Sequence, residues 1–149
     1  MKIEDEIKQP VFKNPYQKVA INLLFTAGWL QNKQQEFFKP FGITSSQFNI
    51  LRILRGQHPN KISGAEIKSR MLDKNSDIPR LLDRLLRKNL ITKSPCPNDK
   101  RAADIVITKE GLDVLKEIDS SLDEMQKANL SLSKEEALQL SELLDKCRG

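Results

Sequence analysis

The sequence predicts a mostly α-helical fold with one small β-hairpin. Three observations point there. Apolar residues recur at three- and four-residue spacings along most of the chain, capping-box patterns open several of those stretches, and two alternating segments flank a single charged turn. Between Asn14 and Phe38, Val19, Leu23, Leu24, Phe25, Trp29, Leu30, Phe37 and Phe38 follow the spacing of a long helix, which Pro40 and Gly42 end. Thr44, with Gln47 three residues on, opens a second helix carrying Phe48, Ile50, Leu51, Ile53 and Leu54 to about Arg55, closed by Gly56 and Pro59. Ser63 with Glu66 opens a third helix of about ten residues that carries Ile67, Met71 and Leu72. Residues 73–76 break it.

The segment NSDIPRLLDRLLRKN is the clearest helix in the chain. Asn75 or Ser76 can cap it, Asp77 suits the positive end of the helix dipole, and Pro79 falls in the first turn, where a missing N–H costs little. Ile78, Leu81, Leu82, Leu85 and Leu86 form an apolar stripe, while Asp77, Arg80, Arg84 and Arg87 share another side. Asn89 is its expected stop. LITKS and ADIVIT then read as strands around PCPNDKRA, with Ile105 and Ile107 alternating against Asp104, Val106 and Thr108. Thr108 or Lys109 begins a helix with Leu112, Leu115, Ile118, Leu122 and Met125 at helical spacing to about Asn129. A capping box at Ser133 and Glu136 opens a last amphipathic helix with Ala137, Leu140, Leu143 and Leu144. The central helices and hairpin make a winged helix-turn-helix, placed at residues 44–108. Residues 1–43 and 109–149 are expected to form dimerisation helices around it.

Composition narrows the function. The chain has 149 residues, 38% of them hydrophobic and 30% charged, and no run approaches the roughly 20 apolar residues of a membrane span. MKIEDEIKQPVFKNP lacks the apolar core of a secretory signal, so a cytoplasmic location is expected and no membrane partner. Cys96 and Cys147 stand far apart with no CxxC, so neither a disulfide framework, a metal site nor a cofactor is indicated. A single His, no Gly-rich phosphate loop and no nucleophile elbow argue against an enzyme. The net charge of +5 is unevenly spread: residues 1–60 carry +4, 61–109 carry +6 and 110–149 carry −5. A basic middle and an acidic tail suggest a local surface for a polyanion.

The stretch IPRLLDRLLRKNLITKSPCPNDKRAADIVITKEG, residues 78–111, contains DRL, then L-I after a short basic stretch, then NDKRA, then a strand ending in T-x-x-G. In order and spacing these pieces resemble the MarR family of bacterial transcription regulators, and the remaining helices match that plan over nearly the whole chain. The resemblance implies a homodimeric repressor of double-stranded DNA with a palindromic operator. By physical reasoning a basic helix enters the major groove N-terminus first. Ser76, Asp77 and Arg80 hold those positions: Arg80 can donate to guanine, Ser76 can bind phosphate or base, and Asp77 can accept from cytosine or simply cap the helix, which is favoured. Pro79 stands where the family often has a hydroxyl residue, removing one polar contact. In the wing, the resemblance assigns Arg101 to the minor groove, Lys100 to phosphate, and Asp99 to orienting the wing by holding a basic side chain such as Arg84.

The resemblance also implies release by a small aromatic effector or by cysteine oxidation. Phe25, Trp29, Phe48 and His58 are candidate lining residues. The plainer assignment makes the three aromatics ordinary core and His58 an exposed loop residue. For oxidation only Cys96 is placed suggestively, between Pro95 and Pro97 near Lys93 and Lys100, with Cys147 an unremarkable tail residue. An alternative function is a winged-helix module for protein or RNA association, in which Arg80, Arg84 and Arg87 form a solvated face. The dependence of duplex binding on salt separates the two.

Overall fold

Asn14 starts the longest helix because its side chain accepts from the Gln17 amide at 2.9 Å, and Pro15 follows at the first helical position, where no N–H is needed. The computed structural model describes residues 1–149. It continues this helix, α2, over Pro15–Phe38, after a single turn, α1, at Ile3–Glu6. α1 has four residues, too few to carry a periodic signal. Lys18 on α2 pairs with Glu4 on α1, and this hydrogen bond holds the Glu4 carboxyl below its usual range. A 3₁₀ turn at Lys39–Phe41 ends the helix, and Gly42 closes it at φ +71°, where a side chain would be strained.

The chain divides into two compact units, Met1–Ser45 and Ser46–Gly149. The second contains, in order, nearly all of α3 (Ser45–Gln57), then β1 (Ile62–Ser63), α4 (Gly64–Arg70), α5 (Ile78–Arg87), β2 (Ile91–Cys96), β3 (Asp99–Ile107), α6 (Lys109–Leu130) and α7 (Lys134–Arg148). α3 runs past Gly56, which lies inside the helix rather than closing it. α4 is shorter than the expected ten residues: Met71 turns extended and stays buried, while Leu72 is exposed rather than on the apolar stripe. Ser63 caps α4 through the Glu66 amide, and Ser133 and Glu136 form the expected reciprocal capping box on α7.

The sheet has the order β1-β3-β2 and is antiparallel throughout. β2 and β3 are the expected hairpin, with Ile91 opposite Ile107 and Lys93 opposite Ile105. The two-residue β1, pairing Ile62 with Ile105, has no pattern long enough to read from sequence. Ile62, Ile91, Ile105 and Ile107 point inward to join Ile50, Leu51, Leu54, Ile67, Leu82, Leu85, Leu115 and Ile118 in one core. α3 is tied to α6 by Arg55 and Asp119 at 2.6 Å. No helix is long and apolar enough to cross a membrane.

The T-x-x-G motif marks the junction of hairpin and α6. Thr108 Oγ1 accepts from the Gly111 amide at 3.1 Å to cap α6, and its hydroxyl donates to the Asn89 carbonyl at 2.7 Å. A Cβ on residue 111 would stand 2.4 Å from the Leu90 carbonyl oxygen and 2.6 Å from Ile107 Cγ1, so only glycine lets the helix start this close to the sheet. Gly111→Ala is therefore expected to cost about 1–3 kcal/mol in urea unfolding. Wild-type stability in that variant would show that the junction relaxes freely.

Candidate nucleic-acid interface

α5 carries the candidate site, and its N-terminus is fixed by Asp77. The Asp77 carboxylate accepts from the Arg80 amide at 3.3 Å, so the cap falls on Asp77 and not on Asn75 or Ser76. Ser76 belongs instead to the preceding turn, its hydroxyl donating to the Asp73 carbonyl at 2.8 Å. Pro79 is the second helical residue, a position at which its ring removes no hydrogen bond. After α5, Asn89 takes φ +58°, a conformation asparagine tolerates better than most residues, and stops the helix as expected.

The helix is two-sided. Ile78, Leu82 and Leu85 are buried, Leu81 and Leu86 half-buried, and Pro79, Arg80, Asp83, Arg84 and Arg87 exposed. The side chains of Arg80, Arg84 and Arg87 make no hydrogen bond or ion pair within the chain, whereas several cations elsewhere in the same unit are engaged: Arg55 with Asp119, Arg70 with Glu66, Lys61 with Asp104. Asp83 was not singled out from the sequence. It sits exposed among the three arginines, unpaired with any of them, and its place between Arg80 and Arg87 at helical spacing is the signal that could have found it.

The wing turns at Pro97 and Asn98, with a register irregularity at Pro95 and Cys96. Lys93, Lys100 and Arg101 are exposed there with unpaired side chains. Asp99 does not pair with Arg84. Its carboxylate accepts from the Arg101 amide at 2.9 Å, because an aspartate at a turn reaches the backbone two residues on more readily than a distant side chain. Cys96 is half-buried and Cys147 exposed, both as free thiols.

The aromatic residues part company. Phe25 and Trp29 are 37% and 36% exposed and line a pocket of about 340 Å³ with Met1, Ile3, Glu6, Asn22 and Thr26. They are therefore not ordinary core within their unit. Phe48 is half-buried and His58 exposed, and neither lines that pocket.

A capped, two-sided basic helix followed by a hairpin with a cationic tip defines a winged helix-turn-helix protein of the DNA-binding class. The sequence profile of the MarR family matches residues 43–103. The transcriptional repressor MdtR of Bacillus subtilis is 31% identical over 118 residues, 78% of this chain and 75% of that protein. The transcriptional regulator PapX of Escherichia coli is 30% identical over 83 residues, 56% of this chain and about half, 51%, of that relative. Among solved structures, a MarR-like transcription regulator of Bacillus cereus superposes with a TM-score of 0.79 at 23% identity, covering 89% of this chain and 95% of that one. A point mutant of MarR from Escherichia coli, solved in complex with operator DNA, superposes with a TM-score of 0.73 at 25% identity, covering 85% and 91%. This chain belongs to the MarR family, whose members are DNA-binding transcription regulators and not enzymes.

The cap assignment is directly testable. Asp77→Ala is expected to lower stability by about 1 kcal/mol in thermal or urea unfolding, and Asp77→Ser to retain most of it. Equal loss in both variants would mean that the carboxylate serves something other than the helix start.

Proposed function

We propose that two copies of this chain bind a palindromic DNA operator and repress transcription. Arg80 reads a base edge, Ser76 and Lys100 meet phosphates, Arg84 adds a further backbone contact, and Arg101 enters the adjacent minor groove while Asp99 shapes the wing turn. The observation that carries this is the grouping of unpaired, exposed cations on one side of α5, Arg80, Arg84 and Arg87, and on the wing, Lys93, Lys100 and Arg101. The operator complex of the Escherichia coli relative, at 25% identity, supports it.

Pairing is supported by apolar surface that the chain alone leaves in water. Tyr16, Val19 and Leu24 on α2 and Leu138, Leu140 and Leu143 on α7 are all exposed. In the proposed arrangement residues 1–43 and 109–149 form the contact between copies, residues 44–108 meet DNA, and a two-fold axis sets the recognition helices about one DNA turn apart. The acidic segment 110–149 then stays away from phosphate.

Selection from random duplex DNA is expected to recover a palindrome with half-site centres about 10 bp apart. On that site Arg80→Ala should cost about 1–3 kcal/mol with little effect on unrelated duplex, whereas Lys100→Ala should weaken both and reduce the salt slope by about one. A chain that ignores duplex DNA at low salt would sink the proposal and favour the protein- or RNA-association module.

The effector in this proposal is a small aromatic compound held at Phe25 and Trp29. Support comes from the 340 Å³ pocket between α1 and α2, large enough for such a molecule. Trp29 is the chain's single tryptophan, so benzoate or phenol titration should change its emission saturably, and Phe25→Ala should weaken that response. Emission unaffected by either compound would remove this pocket from the account.

A further inference from the structure

Two polar side chains on α3 are almost wholly removed from water, Gln47 at 2% and Asn49 at 4% exposure. Burying an amide is costly unless it is hydrogen-bonded, so the partners are informative. Gln47 Oε1 accepts from Lys88 Nζ at 3.2 Å, and Lys88 is the residue that closes α5. Asn49 Oδ1 accepts from the Leu72 amide at 2.9 Å, across 23 residues of sequence. The Leu72 side chain is exposed, so at this residue the chain is held by its backbone and not by packing.

The segment from Leu72 to α5 is a short relay. The Asp73 carboxylate accepts from the Asn75 amide at 2.9 Å, and the Asp73 carbonyl accepts from both the amide and the hydroxyl of Ser76. Asp77 then caps α5, and Arg80 follows. Asn49 thus fixes the origin of a hydrogen-bonded path that ends at the first cation of the basic face, while Gln47 holds the far end of the same helix.

We infer that Asn49 and Gln47 are positioning residues that bracket α5 from both ends and set the register in which Arg80 is presented, an inference that rests on the proposed DNA-binding function. Neither touches DNA. The Asn49 Nδ2 is itself buried without an acceptor, so this side chain is retained with half its hydrogen-bonding capacity unused. Leucine has the same branched outline, though bulkier methyl groups, and would bring no unsatisfied donor to the space. What leucine lacks is the acceptor for Leu72.

The test compares affinity for the selected operator with affinity for an unrelated duplex of equal length. In Asn49→Leu the ratio should fall about tenfold, the unrelated duplex should bind as before, and hydrogen exchange at the Leu72 amide should speed up. Asn49→Asp keeps an acceptor at that atom and should restore most of the ratio. An unchanged ratio, a parallel loss on both duplexes, or no recovery in Asn49→Asp would overturn the inference while leaving DNA binding intact. If the wild-type chain binds neither duplex, the proposed function falls and takes this inference with it. Should Asn49→Leu fail to fold, Asn49→Ser, whose hydroxyl is too short to reach the amide, decides by the same ratio.

Discussion

Everything at the candidate interface depends on the burial of one face of α5. A ten-residue helix is marginal in water by itself, since the cost of its first turn is spread over too few hydrogen bonds. Ile78, Leu82 and Leu85 supply what propensity cannot, by locking one stripe into the core. Once that stripe is inside, the helical period leaves Arg80, Arg84 and Arg87 no orientation except outward. The presentation of positive charge is a consequence of apolar packing on the opposite side.

The wing is built on the same core through a single residue. Leu90 is buried; its amide donates to the Leu85 carbonyl at 3.1 Å and its carbonyl accepts from the Thr108 amide at 3.0 Å. The end of α5, the start of the hairpin and the start of α6 therefore meet at one peptide. Gly111 allows α6 to approach that peptide closely, and Ile91, Ile105 and Ile107 hold the hairpin's base. The strand tips are free to carry lysine and arginine because nothing in the core calls on them.

How much of this could be read in the sequence follows from how many residues each feature spans. α2, α3, α5, α6 and α7 were legible because each repeats its apolar spacing over two turns or more, and the hairpin because Ile105 and Ile107 alternate cleanly. α1 and β1 were not, since four residues and two residues contain no period. Leu72 misled because composition alone cannot distinguish an apolar residue on a stripe from one just past its end. The basic face, with Arg80, Arg84 and Arg87, was visible as spacing. The partner of Asp99 was not: a turn aspartate's choice between a nearby amide and a distant guanidinium is settled by three-dimensional distance. Gln47 and Asn49 did leave a trace, two amides set among Phe48, Ile50 and Leu51, where a helix built only for packing would be apolar.

Within α5 the electrostatics distinguish one arginine from the others. Arg84 and Arg87 lie in the last turn, where the negative end of the helix dipole favours a cation. Arg80 is the third residue of the helix, at the positive end, where a cation is disfavoured, and it stands four residues from Arg84, a like-charge spacing that costs about 0.2–0.5 kcal/mol. Asp77 offsets part of this by capping the same turn. The dipole therefore favours Arg84 and Arg87 but not Arg80, whose setting is only partly offset by Asp83 three residues on. Residues at odds with their local setting are where functional demands tend to appear, and the demand that suits an exposed, unpaired guanidinium at a helix N-terminus is a negatively charged partner from outside the chain.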